Sequence, residues 1–217
     1  MPLARIGSTL LHFIHVPKTG GASVETYLAQ KGALALKHPT RLNWSATTAQ
    51  HMAANVHERL VPAEFCDHAF AVLRNPLDRL RSEWRWRRER METRAPFSAW
   101  ALTTLQMTRD DPLVNDNHTR PQVDFLREGV RLFHYSHGLD PVFDWIDSTT
   151  GTPPADRDLQ MNRTSSVKSP ITDEARAEIR KFYAKDYALL SRINRSGLNG
   201  ATRNEIDEAI QQQRDAS

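Results

Sequence analysis

The segment that most limits the fold of this chain is "TLLHFIHVPKTGGASVETYL", residues 9–28. Its first part, 9–16, carries large apolar groups on both alternating faces, the pattern of a strand covered on both sides in a parallel sheet. Beyond "PKTGG", Val24, Tyr27 and Leu28 recur at helical spacing, so the unit reads strand, tight loop, helix. The arrangement repeats at 68–84, where "HAFAVLR" is an apolar run, "NP" a turn, and Leu77, Leu80 and Trp84 one face of a long helix. "VRLFHYS", 130–136, adds a third strand. These units predict an α/β fold with a parallel central sheet flanked by helices.

Between the two units, "TTAQHMAANVHERL" (47–60) reads as one helix. Residues 96–108 read as another, and "RDDPLVNDNHTRPQ" as a polar surface loop. Asp140 and Pro141 open a short helix. From an N-cap at Thr172 a single helix is expected, with an acidic first turn and with Ala175, Ile179, Phe182 and Tyr183 apolar. A length of 217 residues fits one core. The expected division is one domain over 1–195 and a polar helical tail over 196–217, opened by a capping box from Thr202 to Glu205.

Hydrophobic residues at 39% and charged residues at 25% argue for a folded chain rather than a disordered one. No apolar run approaches the roughly 18 residues of a membrane span, and "LHFIHV" runs into "PKTGG" with no small-residue cleavage site. One cysteine, Cys66, forms no intrachain disulfide and fits a reducing compartment, so the expected location is cytoplasmic. A net charge of +3 and a pI near 9.2 suit an anionic ligand without requiring nucleic acid.

The loop at 17–23 has the chemistry of an anion nest. Gly20, Gly21, Ala22 and Ser23 stand at the mouth of a helix, where backbone N–H groups and the helix dipole favour negative charge. Pro17 stiffens the approach, Lys18 adds a mobile cation, and the Thr19 and Ser23 hydroxyls are further donors. The Lys precedes the glycines, the reverse of the Walker A order, so the metal and γ-phosphate geometry of an NTPase does not follow. In "LRNPLDRLRSEW", Arg74 ends a buried strand and Ser82 lies in the next helix; a guanidinium fork and a hydroxyl can converge on one phosphate. For Arg74 alone, an ion pair with Asp78 is the alternative.

Taken together, "FIHVPKTGGAS" and "VLRNPLDRLRSEWRWR" resemble the 5′-phosphosulfate and 3′-phosphate motifs of sulfotransferases that use 3′-phosphoadenosine 5′-phosphosulfate (PAPS). The likeness is to the carbohydrate branch of heparan sulfate 2-O- and 6-O-sulfotransferases. "RPQVDFL", "MNRT" and "FYAKDYALL" extend it over about 11–193. The resemblance implies a P-loop-like sulfotransferase fold and metal-free transfer of a sulfuryl group from PAPS to a hydroxyl acceptor, with a carbohydrate as the expected partner. It assigns Lys18 to the bridging oxygen and sulfate, Thr19 to Ser23 to the 5′-phosphate, and Arg74 and Ser82 to the 3′-phosphate. Asn162, Arg163 and Thr164 are expected to close over the cofactor.

A base for the acceptor hydroxyl is also needed, and the resemblance places a His between the two motifs. His51 is the first choice, His57 the rival on the same helix, and His15 a buried alternative; some members of the superfamily use a carboxylate instead. In "LFHYSHGLD", His134 and His137 stand where many relatives carry Arg and Glu. The run "DRLRSEWRWRRER" reads as a solvated amphipathic helix, with Trp84 in the core and core packing also expected for Trp86 and Trp100. Two other functions remain open at this level: a nucleotide kinase or NTPase, and a non-catalytic polyanion binder.

Overall fold

A computed structural model describes residues 1–37, 40–159 and 169–215. Five strands form one sheet in the order β3-β1-β2-β4-β5: β1 (Leu3–Ile6), β2 (Thr9–Ile14), β3 (Ala33–Ala35), β4 (His68–Leu73) and β5 (Arg131–His134). β2, β4 and β5 are parallel, with Phe13 opposite Phe70 and Val72 opposite Phe133. β1 runs antiparallel to both β2 and β3. The sheet is therefore mixed, where the sequence predicted a parallel one. These two strands, of four and three residues, leave no periodic signal, and only the pairing of β1 with β2 and of β3 with β1 makes them strands.

Helices cover both faces, which is why the central strands read as continuous apolar runs. On one side, α1 (Gly21–Lys31) and α5 (Asp140–Thr150) pack Val24, Tyr27, Leu28, Phe143 and Ile146 against Phe13, Phe70, Val72 and Phe133. On the other, α7 (Ala184–Ser196) and α8 (Arg203–Asp215) bring Leu189, Leu190, Ile193, Ile206 and Ile210 to Ile14, Ala71, Leu73 and Leu132. The tail helix α8 is thus seated on the main core. Its capping box is formed, with the Glu205 carboxylate accepting from the Thr202 amide at 2.7 Å. A third cluster joins α3 (Pro76–Glu89), α4 (Phe97–Asp110) and α6 (Asp173–Phe182) through Leu80, Trp84, Phe97, Leu105 and Ile179.

Two predicted helices are interrupted. The stretch 47–60 is a 3-10 turn over Ala49–His51, two extended residues, and α2 (Ala54–Leu60), so His51 and His57 do not share a helix. The run beginning at Asp173 breaks at Tyr183, whose buried hydroxyl donates to the Thr119 carbonyl at 2.6 Å. In both places a tertiary contact outweighs local propensity. Among the described residues, no helix is long and apolar enough to cross a membrane.

Candidate functional site

The C-terminal ends of β2 and β4 open into a cleft of about 170 Å³. Pro17, Lys18, Gly20, Gly21, Ala22 and Ser23 form one wall, and His15, His51, Arg74, Ser82, His118 and Tyr135 the rest. This is the edge where open α/β sheets hold ligands.

The loop before α1 is held in an unusual backbone shape. Lys18 (φ 67°) and Gly20 (φ 91°) are left-handed. The Thr19 hydroxyl donates to the Val16 carbonyl at 2.8 Å and is buried, so it staples the loop rather than facing the cleft. The Ser23 hydroxyl donates to the Leu159 carbonyl at 2.9 Å. What the loop offers an anion is therefore backbone: the first N–H groups of α1 precede any carbonyl a turn earlier that could accept them. Gly21 is obligatory for another reason, since a Cβ there would lie 1.9 Å from Nε2 of His15.

Arg74 is placed by its backbone. The Gln122 side chain accepts from the Arg74 amide at 2.9 Å and donates to its carbonyl at 2.8 Å. Buried Asp186 accepts in turn from the Gln122 and Val123 amides at 2.9 and 3.0 Å. The two fragments "RPQVDFL" and "FYAKDYALL" thus act together to fix the end of β4. The Arg74 guanidinium lies 4.6 Å from the Tyr135 ring centre and donates to the Lys18 carbonyl at 3.2 Å. It makes no ion pair with Asp78; among the described residues neither Arg74 nor Lys18 has a carboxylate within ion-pair distance. Burial pushes both cations below their ordinary values. Lys18 lies 5.1 Å from the centre of the Trp86 ring, which is half-buried beside Lys18 and His118 rather than packed in the core.

Three imidazoles stand in a row beside these cations. The ring centres of His15 and His51 are 4.9 Å apart, those of His51 and His118 4.8 Å, each pair edge to face. In each case Nδ1 meets a carboxylate: His15 with Glu25 at 2.6 Å, His51 with Asp116 at 2.7 Å, His118 with Glu83 at 2.8 Å. A carboxylate at Nδ1 fixes the proton there and leaves Nε2 as the basic nitrogen. Burial, then the neighbouring His118 and His15, lower the pKa of His51 against the opposing pull of Asp116, so the ring is neutral at pH 7. The Glu83 carboxyl is also buried, which acts to raise it, yet His118, Arg87 and Lys18 hold it at about 2.

Asp116, Glu83 and His118 were not singled out in the sequence. Asp116 sits in a run of three left-handed residues, Asn115, Asp116 and Asn117 (φ 57°, 56° and 62°), and "NDN" is a composition that tolerates this shape. Its carboxylate also accepts from the Thr48 amide and hydroxyl at 2.6 and 2.7 Å, while Asn117 donates to the His51 carbonyl at 2.8 Å. Arg79, fully buried on the supposedly solvated helix, donates to the carbonyls of His118 and Arg120. Arg79 and Glu83 share a stripe with Leu80 and Trp84, and a charge pair on an apolar face was the available signal.

His57 lies elsewhere, its Nε2 donating to the Phe125 carbonyl at 2.9 Å. His134 bonds the Ser136 hydroxyl at 2.9 Å and His137 is exposed; neither lines the cleft. Asn162, Arg163 and Thr164 lie outside the described residues. His51, Asp116 and His118 also offer three ligand atoms within 4.8 Å of one another. Both Asp116 oxygens already accept from Thr48 and His51, which leaves the two Nε2 atoms as ready ligands, fewer than the three protein ligands of a catalytic zinc site. Compared with family models, curated proteins and solved structures, the chain matches none.

Proposed function

We propose that this cleft binds PAPS and that the protein is a sulfotransferase acting on a hydroxyl acceptor of the carbohydrate class, in the cytoplasm. The observation that carries the reading is the meeting of two half-buried cations that have no carboxylate partner among the described residues, a helix-mouth loop and a carboxylate-oriented neutral imidazole in one cleft. Bound there, PAPS would supply an activated sulfuryl group to in-line attack by the acceptor oxygen. Arg74 and Ser82 suit the 3′-phosphate, since a guanidinium fork and a hydroxyl with no partner among the described residues give planar and directional donors. The N–H groups of Gly20, Gly21 and Ala22 suit the 5′-phosphate, that of Ser23 already donating to the Gly20 carbonyl at 3.1 Å.

Lys18 sets positive charge where the departing phosphate gains negative charge, a favourable contact that strengthens as the bond breaks. His51 accepts the acceptor's proton at Nε2, and Asp116 stabilises the imidazolium so formed. Trp86 and Tyr135 limit access of water to the two cations and strengthen their fields. No step in this chemistry calls on a metal.

Calorimetric titration with 3′,5′-ADP tests the reading. Binding without Mg²⁺ is expected, weakened about ten- to a hundredfold in Arg74→Ala by loss of charge-assisted hydrogen bonds. In His51→Ala, 3′,5′-ADP binding should survive while sulfuryl transfer across a glycan panel, read as a product mass shift, collapses. Mg²⁺-dependent ATP binding in its place, or oligonucleotide binding with a steep salt slope, would sink the proposal in favour of an NTPase or a polyanion binder.

A further inference from the structure

A second cationic site lies at the opposite edge of the sheet. Arg127, between the turn Gln122–Phe125 and β5, is 8% exposed, and His12 on β2 and His57 on α2 are buried more deeply still. The three side chains are in contact: His12 and His57 meet edge to face with ring centres 5.2 Å apart, and Arg127 Nη2 lies 3.4 Å from His12 Nδ1. Four buried atoms of this group have no hydrogen-bond partner among the described residues: Nε and Nη1 of Arg127, Nε2 of His12 and Nδ1 of His57. Elsewhere among the described residues, unpartnered buried side-chain atoms occur one to a residue, as at Arg81, Asn117, Arg157 and Ser169.

Taking a guanidinium out of water without a counter-charge costs several kcal/mol. Among the described residues no carboxylate pairs with it. Asp67, which lines the adjoining cleft, accepts from the Leu10 amide at 2.7 Å, and Glu128 is exposed. The cleft itself, about 160 Å³ and bordered by Cys66, His68, Arg127 and Arg131, brings solvent to Arg127, with His12 and His57 behind it.

We infer that Arg127, His12 and His57 enclose a binding site for a small monovalent inorganic anion of halide size. Arg127 and the Nε2–H of His12 donate to it: His12 Nδ1 faces the Arg127 guanidinium as an acceptor, which leaves the proton on Nε2, while His57, whose Nε2–H is given to the Phe125 carbonyl, contributes its ring as a wall and no donor. Asp67 and Glu128 at the mouth repel a dianion. A water molecule satisfies the same hydrogen bonds but leaves the guanidinium uncompensated, which is why charge decides for an anion. Occupancy would tie α2 to β2, and α2 continues from the turn that carries His51.

Thermal melting of the full chain in sodium chloride and in sodium gluconate at equal ionic strength tests this. Chloride should raise the midpoint saturably, by about 3–6 °C at a concentration tenfold above its dissociation constant, and gluconate, too large to enter, should not. Arg127→Met should abolish the difference and Arg74→Ala should keep it. A difference that survives Arg127→Met, vanishes in Arg74→Ala, or is missing in the wild type overturns the inference. If Arg127→Met does not fold, crystals of the wild type grown in sodium bromide decide: an anomalous peak beside Arg127 and His12 supports the site, and an ordinary water peak there refutes it.

Discussion

Replacing Asp116 by Asn removes one charge and leaves the shape of the side chain almost unchanged. The carboxylate accepts three hydrogen bonds, from the Thr48 amide on one oxygen and from the Thr48 hydroxyl and His51 Nδ1 on the other. An amide has a single oxygen. If that oxygen faces His51, the NH₂ group opposes the Thr48 N–H; if it faces Thr48, the NH₂ group opposes Nδ1 and drives the imidazole proton to Nε2. Either way one donor loses its acceptor and the remaining bonds lose their charge assistance. In a half-buried position this costs about 2 kcal/mol, which for a chain of this length lowers the melting midpoint by about 4–8 °C. The consequence for chemistry is larger. With its Nε2 protonated His51 can no longer take the acceptor's proton, and sulfuryl transfer should fall by about 10²–10⁴ while 3′,5′-ADP binds as before. Long-range ¹H–¹⁵N spectra of the imidazoles read the tautomer directly. The reasoning fails if His51 keeps Nδ1–H with a free Nε2 in the variant and activity nevertheless drops, or if the tautomer flips and turnover does not change.

Two further substitutions probe the same row of histidines. Gly21→Ala drives a methyl group into the His15 ring, which must turn and give up its 2.6 Å contact with Glu25; a loss of about 1–3 kcal/mol in urea unfolding and weakened 3′,5′-ADP binding are expected. Glu83→Gln should cost about 3–5 kcal/mol near neutral pH, because it leaves Arg87 and His118 without their buried partner. Its sign with pH follows from a carboxyl held at about 2 when folded against 4.5 ordinarily. The stabilisation is complete above the ordinary value and is lost as pH falls through the folded one. Wild-type midpoints should therefore fall across that acid window, and those of Glu83→Gln should fall less steeply.

Much of this was legible in the chain itself. The continuous apolar runs marked β2 and β4, because a strand covered by helices on both faces cannot alternate, and "VRLFHYS" marked β5. "PKTGG" marked the loop, because a helix mouth that admits an anion excludes side chains. These are local constraints, and sequence spacing records them. The flanking strands β1 and β3 carry too few residues to do so. His51 was chosen on a resemblance and His57 as its rival on one helix; the break at Met52 separated them, and only the fold turned His51 toward the cleft. The partners that give the imidazoles their chemistry come from far along the chain: Asp116 is 65 residues from His51, and Glu83 35 from His118. A buried carboxylate reads in sequence like any exposed acid, since its character depends on what surrounds it. The sequence by itself determined which backbone could cradle an anion. Tertiary packing decided which acids, removed from water, would hold each imidazole in the state that leaves Nε2 able to take a proton.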